Sequence, residues 1–203
     1  MANLIIILDK GSLALYGGIT ATKFFGETKM SAAEIERKAL ELLCKLNAES
    51  RPIDVMRIAN ALGISVFEAS FENDSISGLI RKEADGVKIY YNRAHNFRRI
   101  RFTIAHEIGH YVLGHLDKVR NQQIDDFALN MFRRADGVGR KDYQMEVDAN
   151  KFAAALLMPE KLVVHSWQET GGDIEKMAEQ FRVSCSAMGY RVDHLDSRKY
   201  ARP

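Results

Sequence analysis

Along most of this chain apolar residues recur every three to four positions. Only between about residues 64 and 91 does the pattern shorten to strand-like runs. Ile35, Ala39, Leu42, Leu43 and Leu46 share one face of a helix predicted over 32–46, and Ser31 with Glu34 forms a Ser-x-x-Glu capping box at its start. Pro52-Ile53-Asp54 is expected to open a short helix through Leu62 that Gly63 ends. Ile64-Ser65-Val66-Phe67 reads as a strand. Ile76–Ile80 and Val87–Tyr91 read as a hairpin around Ala84-Asp85-Gly86. A long helix is predicted from about Asn96 to Leu113, with Gly114 as its stop, and another from Asp142 to Met158. Pro159 opens the next helix. Two short ones follow, one starting near Asp173 and one capped by Ser184. The pattern predicts an α+β, mainly helical fold with a small sheet of about three strands and a helical, helix-turn-helix-like carboxy-terminal tail.

Two stretches break the pattern. Residues 1–29 hold the apolar run Leu4–Leu8, which is too short to span a bilayer and has no basic segment before it, so no membrane association is expected. They are read as an accessory extension or an over-extended start. Residues 117–141 are largely polar and carry Gly137 and Gly139, and they are expected to form a mobile insertion near the cleft. The remainder divides into a core over 30–165 and a tail over 166–203 packed on it. With 203 residues, 46% hydrophobic and 28% charged, the chain is long enough for one well-buried core. A net charge of +2 argues neither for nor against nucleic acid. Two cysteines, Cys44 and Cys185, make neither a disulfide framework nor a thiolate metal pattern, and they are expected to be reduced and buried in a cytoplasmic protein.

The chemistry enters at His106-Glu107-Ile108-Gly109-His110, an HExxH pentapeptide set among Ile104, Ala105, Tyr111, Val112 and Leu113. On a helix the two histidines lie on one face, a turn apart, and can share one Zn²⁺. Glu107 sits about 60° around from His110, where it can act as general base on a water beside the metal without ligating it. A buried helix bearing two imidazoles and a carboxylate needs compensation for their desolvation, which a metal provides.

Zinc in a catalytic site takes three protein ligands. The extension HExxHxxGxxH fails here, because Leu113 and Leu116 stand where Gly and His would be needed. His115 falls about 140° from His110 on a continuous helix, and so reads as a helix-end histidine interacting with the carboxyl terminus of that helix. A carboxylate from the second long helix is the better source. Glu146 is followed on its own face by Ala149, Asn150 and Ala153, a narrow small-residue stripe that would let the two helices approach closely. Asp142 shares that face at the frayed start, and Asp148 points about 160° away.

These residues, with the string from Glu146-Val147-Asp148-Ala149-Asn150 through Phe152-Ala153 to Leu156-Leu157-Met158-Pro159, resemble the ImmA/IrrE family of zinc metallopeptidases. Ala61–Ile64, Ser77-Gly78-Leu79 and the tail from Ile174 to Leu195 are similar to the family as well, so the resemblance spans roughly 31–196. It implies a zincin-like, gluzincin-type peptidase with His106, His110 and Glu146 as zinc ligands and Glu107 as general base. It also implies a protein substrate, a helix-turn-helix repressor whose cleavage derepresses mobile-element or stress genes. Two departures from the family are expected: the long 117–141 insertion, and the lack of a large carboxy-terminal sensor domain.

The competing reading is a non-catalytic, metal-containing regulator that binds DNA or protein. Arg191, Arg198, Lys199 and Arg202 could meet phosphates, but Asp193 and Asp196 lie among them, so direct nucleic-acid binding is not expected. Arg93, Arg98, Arg99 and Arg101 read as a solvated face that could steer an acidic substrate loop. Tyr111, Tyr143 and His115 are candidates, by residue type alone, for stabilising a developing oxyanion. Oligomeric state is not legible.

Overall fold

The computed structural model describes residues 30–73, 75–118 and 140–195. The segments 1–29 and most of 117–141, read above as an extension and an insertion, lie outside the described residues.

Helix α1 (Ala32–Lys45) opens with the expected capping box: the Ser31 hydroxyl accepts from the Glu34 N–H at 3.2 Å, and the Glu34 carboxylate accepts from the Ser31 N–H at 2.7 Å. Helix α2 (Val55–Ala61) begins later than Pro52. Asp54 is its cap, accepting from the Arg57 N–H at 3.0 Å, because an Asp carboxylate satisfies a first-turn donor better from the cap than from inside the helix. Gly63, at φ 72°, then turns the chain into the sheet.

The sheet has three strands, β1 (Ile64–Ala69), β2 (Gly78–Glu83) and β3 (Gly86–Asn92). Its order is β1-β3-β2, with β3 parallel to β1 and antiparallel to β2. Val66, Ile89 and Ile80 align across it in one row. Ile89 and Ile80 are buried on the face that meets α3 (Phe97–Val112).

After α3 comes the single turn α4 (His115–Lys118), and then α5 (Arg140–Leu157), which packs against both α1 and α3. Ile35, Leu43, Ile108, Phe152 and Leu156 are fully buried around these three helices. Helices α6 (Glu160–Thr170), α7 (Ile174–Phe181) and α8 (Cys185–His194) follow. Met177, Phe181 and Met188 from the last two join the same core.

One expectation is corrected, and two basic residues are given a structural place. Cys44 and Cys185 are free but exposed. The core face of α1 is taken by Ile35, Ala39, Leu42 and Leu43, and Cys185 starts the first turn of α8 beside its cap. Arg191 is turned into the protein. It is buried, donating from Nε to the Met158 carbonyl at 2.9 Å and from its remaining nitrogens to the Glu36 carboxylate. In the basic run before and within α3, Arg101 is the half-buried member, donating to the Ile53 carbonyl at 2.8 Å, while Arg93, Arg98 and Arg99 are exposed, Arg99 donating to Ser77 Oγ at 2.8 Å. Arg198, Lys199 and Arg202 lie outside the described residues.

Candidate metal centre

Helix α3 starts at a side-chain cap, with Asn96 Oδ1 accepting from the Arg99 N–H at 3.0 Å. It runs unbroken past His106 and His110, so their four-residue spacing places both rings on one face. Glu146 faces them from α5. A glycine makes the approach possible: a Cβ on Gly109 would lie 3.1 Å from Phe152 and 3.2–3.3 Å from the Ala149 backbone. The small-residue stripe read from the sequence is real at Ala149 and Ala153, both with no exposed surface.

His106 Nε2 and His110 Nε2 lie 3.0 Å apart, and the Glu146 carboxylate oxygens lie 3.3 Å from the first and 3.4 Å from the second. These three ligand atoms fall within 4.8 Å of one another, the one such group of three His, Cys, Asp or Glu among the described residues. His106, Glu107, His110 and Glu146 are each between 1% and 8% exposed.

Burial raises the carboxyl of Glu146, but its contacts with His106 and His110 outweigh that and hold it well below the usual carboxylate range. Burial likewise lowers His106, and Glu146 together with nearby Glu107 reverses the direction and raises it above an ordinary imidazole. Two buried carboxylates therefore call for positive charge at the imidazole nitrogens. Two imidazoles and one carboxylate are a donor set that suits a divalent ion such as zinc, which fills that need without a proton.

Two further residues complete the centre. Asn150 Oδ1 lies 2.9 Å from His106 Nδ1, and His115 Nδ1 lies 3.0 Å from His110 Nδ1. His115 is outside the ligand group, as expected, but its partner is the His110 ring and not the carboxyl terminus of α3. Helix α3 stops at Val112, Gly114 adopts φ 72°, and α4 begins at His115, so an angle projected along one continuous helix does not apply. With 1% exposure, the His115 ring packs edge-on to His110, centroids 5.0 Å apart. From the sequence Asn150 has only a place on the stripe, and its i+4 relation to Glu146 is the signal for its contact with the His106 ring. Tyr111 and Tyr143 are exposed. Asp148 is buried but bonded to Gln144, outside the ligand group.

Residues 59–193 match the peptidase M78 family, described as the IrrE N-terminal-like domain, and the chain belongs to that family. Over 107 residues it is 33% identical to the radiation response metalloprotease IrrE of Deinococcus radiodurans, an alignment covering 51% of this chain and 30% of that one. The chain therefore matches less than a third of that relative's length. A transcriptional regulator of Mycobacterium tuberculosis shares the fold, with a TM-score of 0.58 at 16% identity, covering 83% of this chain and 49% of that one. Among the described residues no helix is long and apolar enough to cross a membrane.

Proposed function

We propose that this chain is a zinc-dependent endopeptidase of narrow specificity, with His106, His110 and Glu146 as metal ligands and Glu107 as general base. The observation that carries the reading is the convergence of two imidazole nitrogens and one carboxylate within 4.8 Å, with Glu107 buried beside them on the same helix. Zinc bound there supplies a Lewis acid that polarises a peptide carbonyl and makes water more acidic. The Glu107 carboxylate takes the proton of the attacking water and passes it to the leaving amine. At 3% exposure Glu107 is largely shielded from bulk water that would compete for that proton. His115 sits behind His110, so it does not face the substrate as an oxyanion donor.

We further propose a cytoplasmic helix-turn-helix repressor as substrate, its cleavage derepressing mobile-element or stress genes. Family membership and the radiation-response relative support this choice. The test is incubation with the product of a neighbouring repressor gene in the presence of Zn²⁺. A discrete pair of fragments that disappears with a chelator supports the reading. An intact repressor under zinc saturation counts against this substrate.

A further inference from the structure

Each metal-facing histidine is gripped at its other nitrogen, and the two grips come from different elements. His106 Nδ1 meets Asn150 Oδ1 at 2.9 Å, from α5. His110 Nδ1 meets His115 Nδ1 at 3.0 Å, from α4. A neutral imidazole has one N–H and one lone pair, so an acceptor at Nδ1 places the proton there and leaves the lone pair on Nε2. Both Nε2 atoms are the ones that approach Glu146. An amide oxygen is an acceptor only. The His115 Nδ1 is an acceptor when its own proton sits on Nε2.

We infer that Asn150 and His115 are paired positioning residues, which set the tautomer and ring orientation of His106 and His110 so that both Nε2 lone pairs point at one ion. The inference rests on the metal-site reading above. Neither residue touches the ion; each acts through the ring in front of it. The arrangement assigns a role to the break after α3. Gly114 at φ 72° lets the chain turn and bring His115 behind His110, where a continued helix would carry it away. It also links the cage to two independent supports. One is the helix that carries Glu146, and the other is the short turn that leaves α3.

The test is Zn²⁺ affinity of the full chain, measured by competition with a chromophoric chelator, in four variants. His115→Leu and Asn150→Ala remove the acceptors, and each should weaken zinc binding by about 10–100-fold. His115→Gln and Asn150→Asp restore an oxygen acceptor and should regain most of that loss, which a purely packing role would not do. Imidazole ¹H–¹⁵N correlation spectra of the zinc-loaded protein give a second readout. The wild type should show Nδ1–H on both ligand histidines. Asn150 is exposed as a residue, so its variants test the idea even where a change at buried His115 prevents folding. Folded His115→Leu and Asn150→Ala proteins with wild-type zinc affinity and unchanged spectra would overturn the inference while leaving the metal site standing. A wild-type chain that binds no zinc would overturn the site and the inference together.

Discussion

Among the described residues, the joint at Arg191 and the cluster at His106 both bury charge between helices, and they resolve it in opposite ways. Where α8 meets α1 and the end of α5, the Arg191 guanidinium is matched by the Glu36 carboxylate and the Met158 carbonyl, so donors meet acceptors within the chain. Where α3 meets α5, bases are gathered instead: two imidazole nitrogens and a carboxylate crowd one point, with a further carboxylate at Glu107. The first is a joint, complete in itself, tying the carboxy-terminal helices to the core. The second is a group of three that could hold a metal ion. A buried polar cluster points to function when its groups compete for the same positive charge, and to architecture when they neutralise one another.

The contrast breaks most sharply at Glu107. Glu107→Gln keeps the shape but takes no proton, so it should lower cleavage by at least ~100-fold while zinc content stays at the wild-type level. Wild-type proteolysis by this variant would remove Glu107 from the mechanism. At the joint the expectation reverses. Arg191→Met leaves Glu36 and the Met158 carbonyl without their donor and should cost about 2–3 kcal/mol in denaturant unfolding, with zinc affinity unchanged. A large fall in zinc affinity in the folded variant would show that the two regions are not separate.

A smaller effect sharpens the boundary of the centre. Gly114→Ala meets open space, so its cost is backbone strain of about 1–2 kcal/mol, and it should weaken zinc binding by displacing His115. Equal stability and affinity would show that the turn tolerates an ordinary residue. Smallest of all, Ser31→Ala removes the α1 cap and should cost about 1 kcal/mol without touching zinc binding.

What the sequence shows and what it hides divide along physical lines. Caps at Ser31, Asn96, Asp173 and Ser184 are local, set by a side chain and an N–H two or three residues on, and the helices began where those residues stand or next to them. The hairpin of β2 and β3 was readable for the same reason. The parallel pairing of β1 with β3 was not, because strand order depends on what covers the sheet. The convergence of His106, His110 and Glu146 is legible in helical spacing and in the small residues opposite. The contact of His115 with His110 is not legible on a helical projection, because Gly114 interrupts the helix between them. Cys44 is exposed against the average burial preference of cysteine because Ile35, Ala39, Leu42 and Leu43 already fill the core face of α1.

The central claim is that α3 and α5 together hold one catalytic metal, and metal content measures it most directly. The purified full chain, loaded with Zn²⁺ and freed of excess, should carry about one zinc per molecule by elemental analysis, and His110→Ala and Glu146→Ala should each lose most of it while remaining folded. Full zinc occupancy in Glu146→Ala, or none in the folded wild-type chain, would contradict the account.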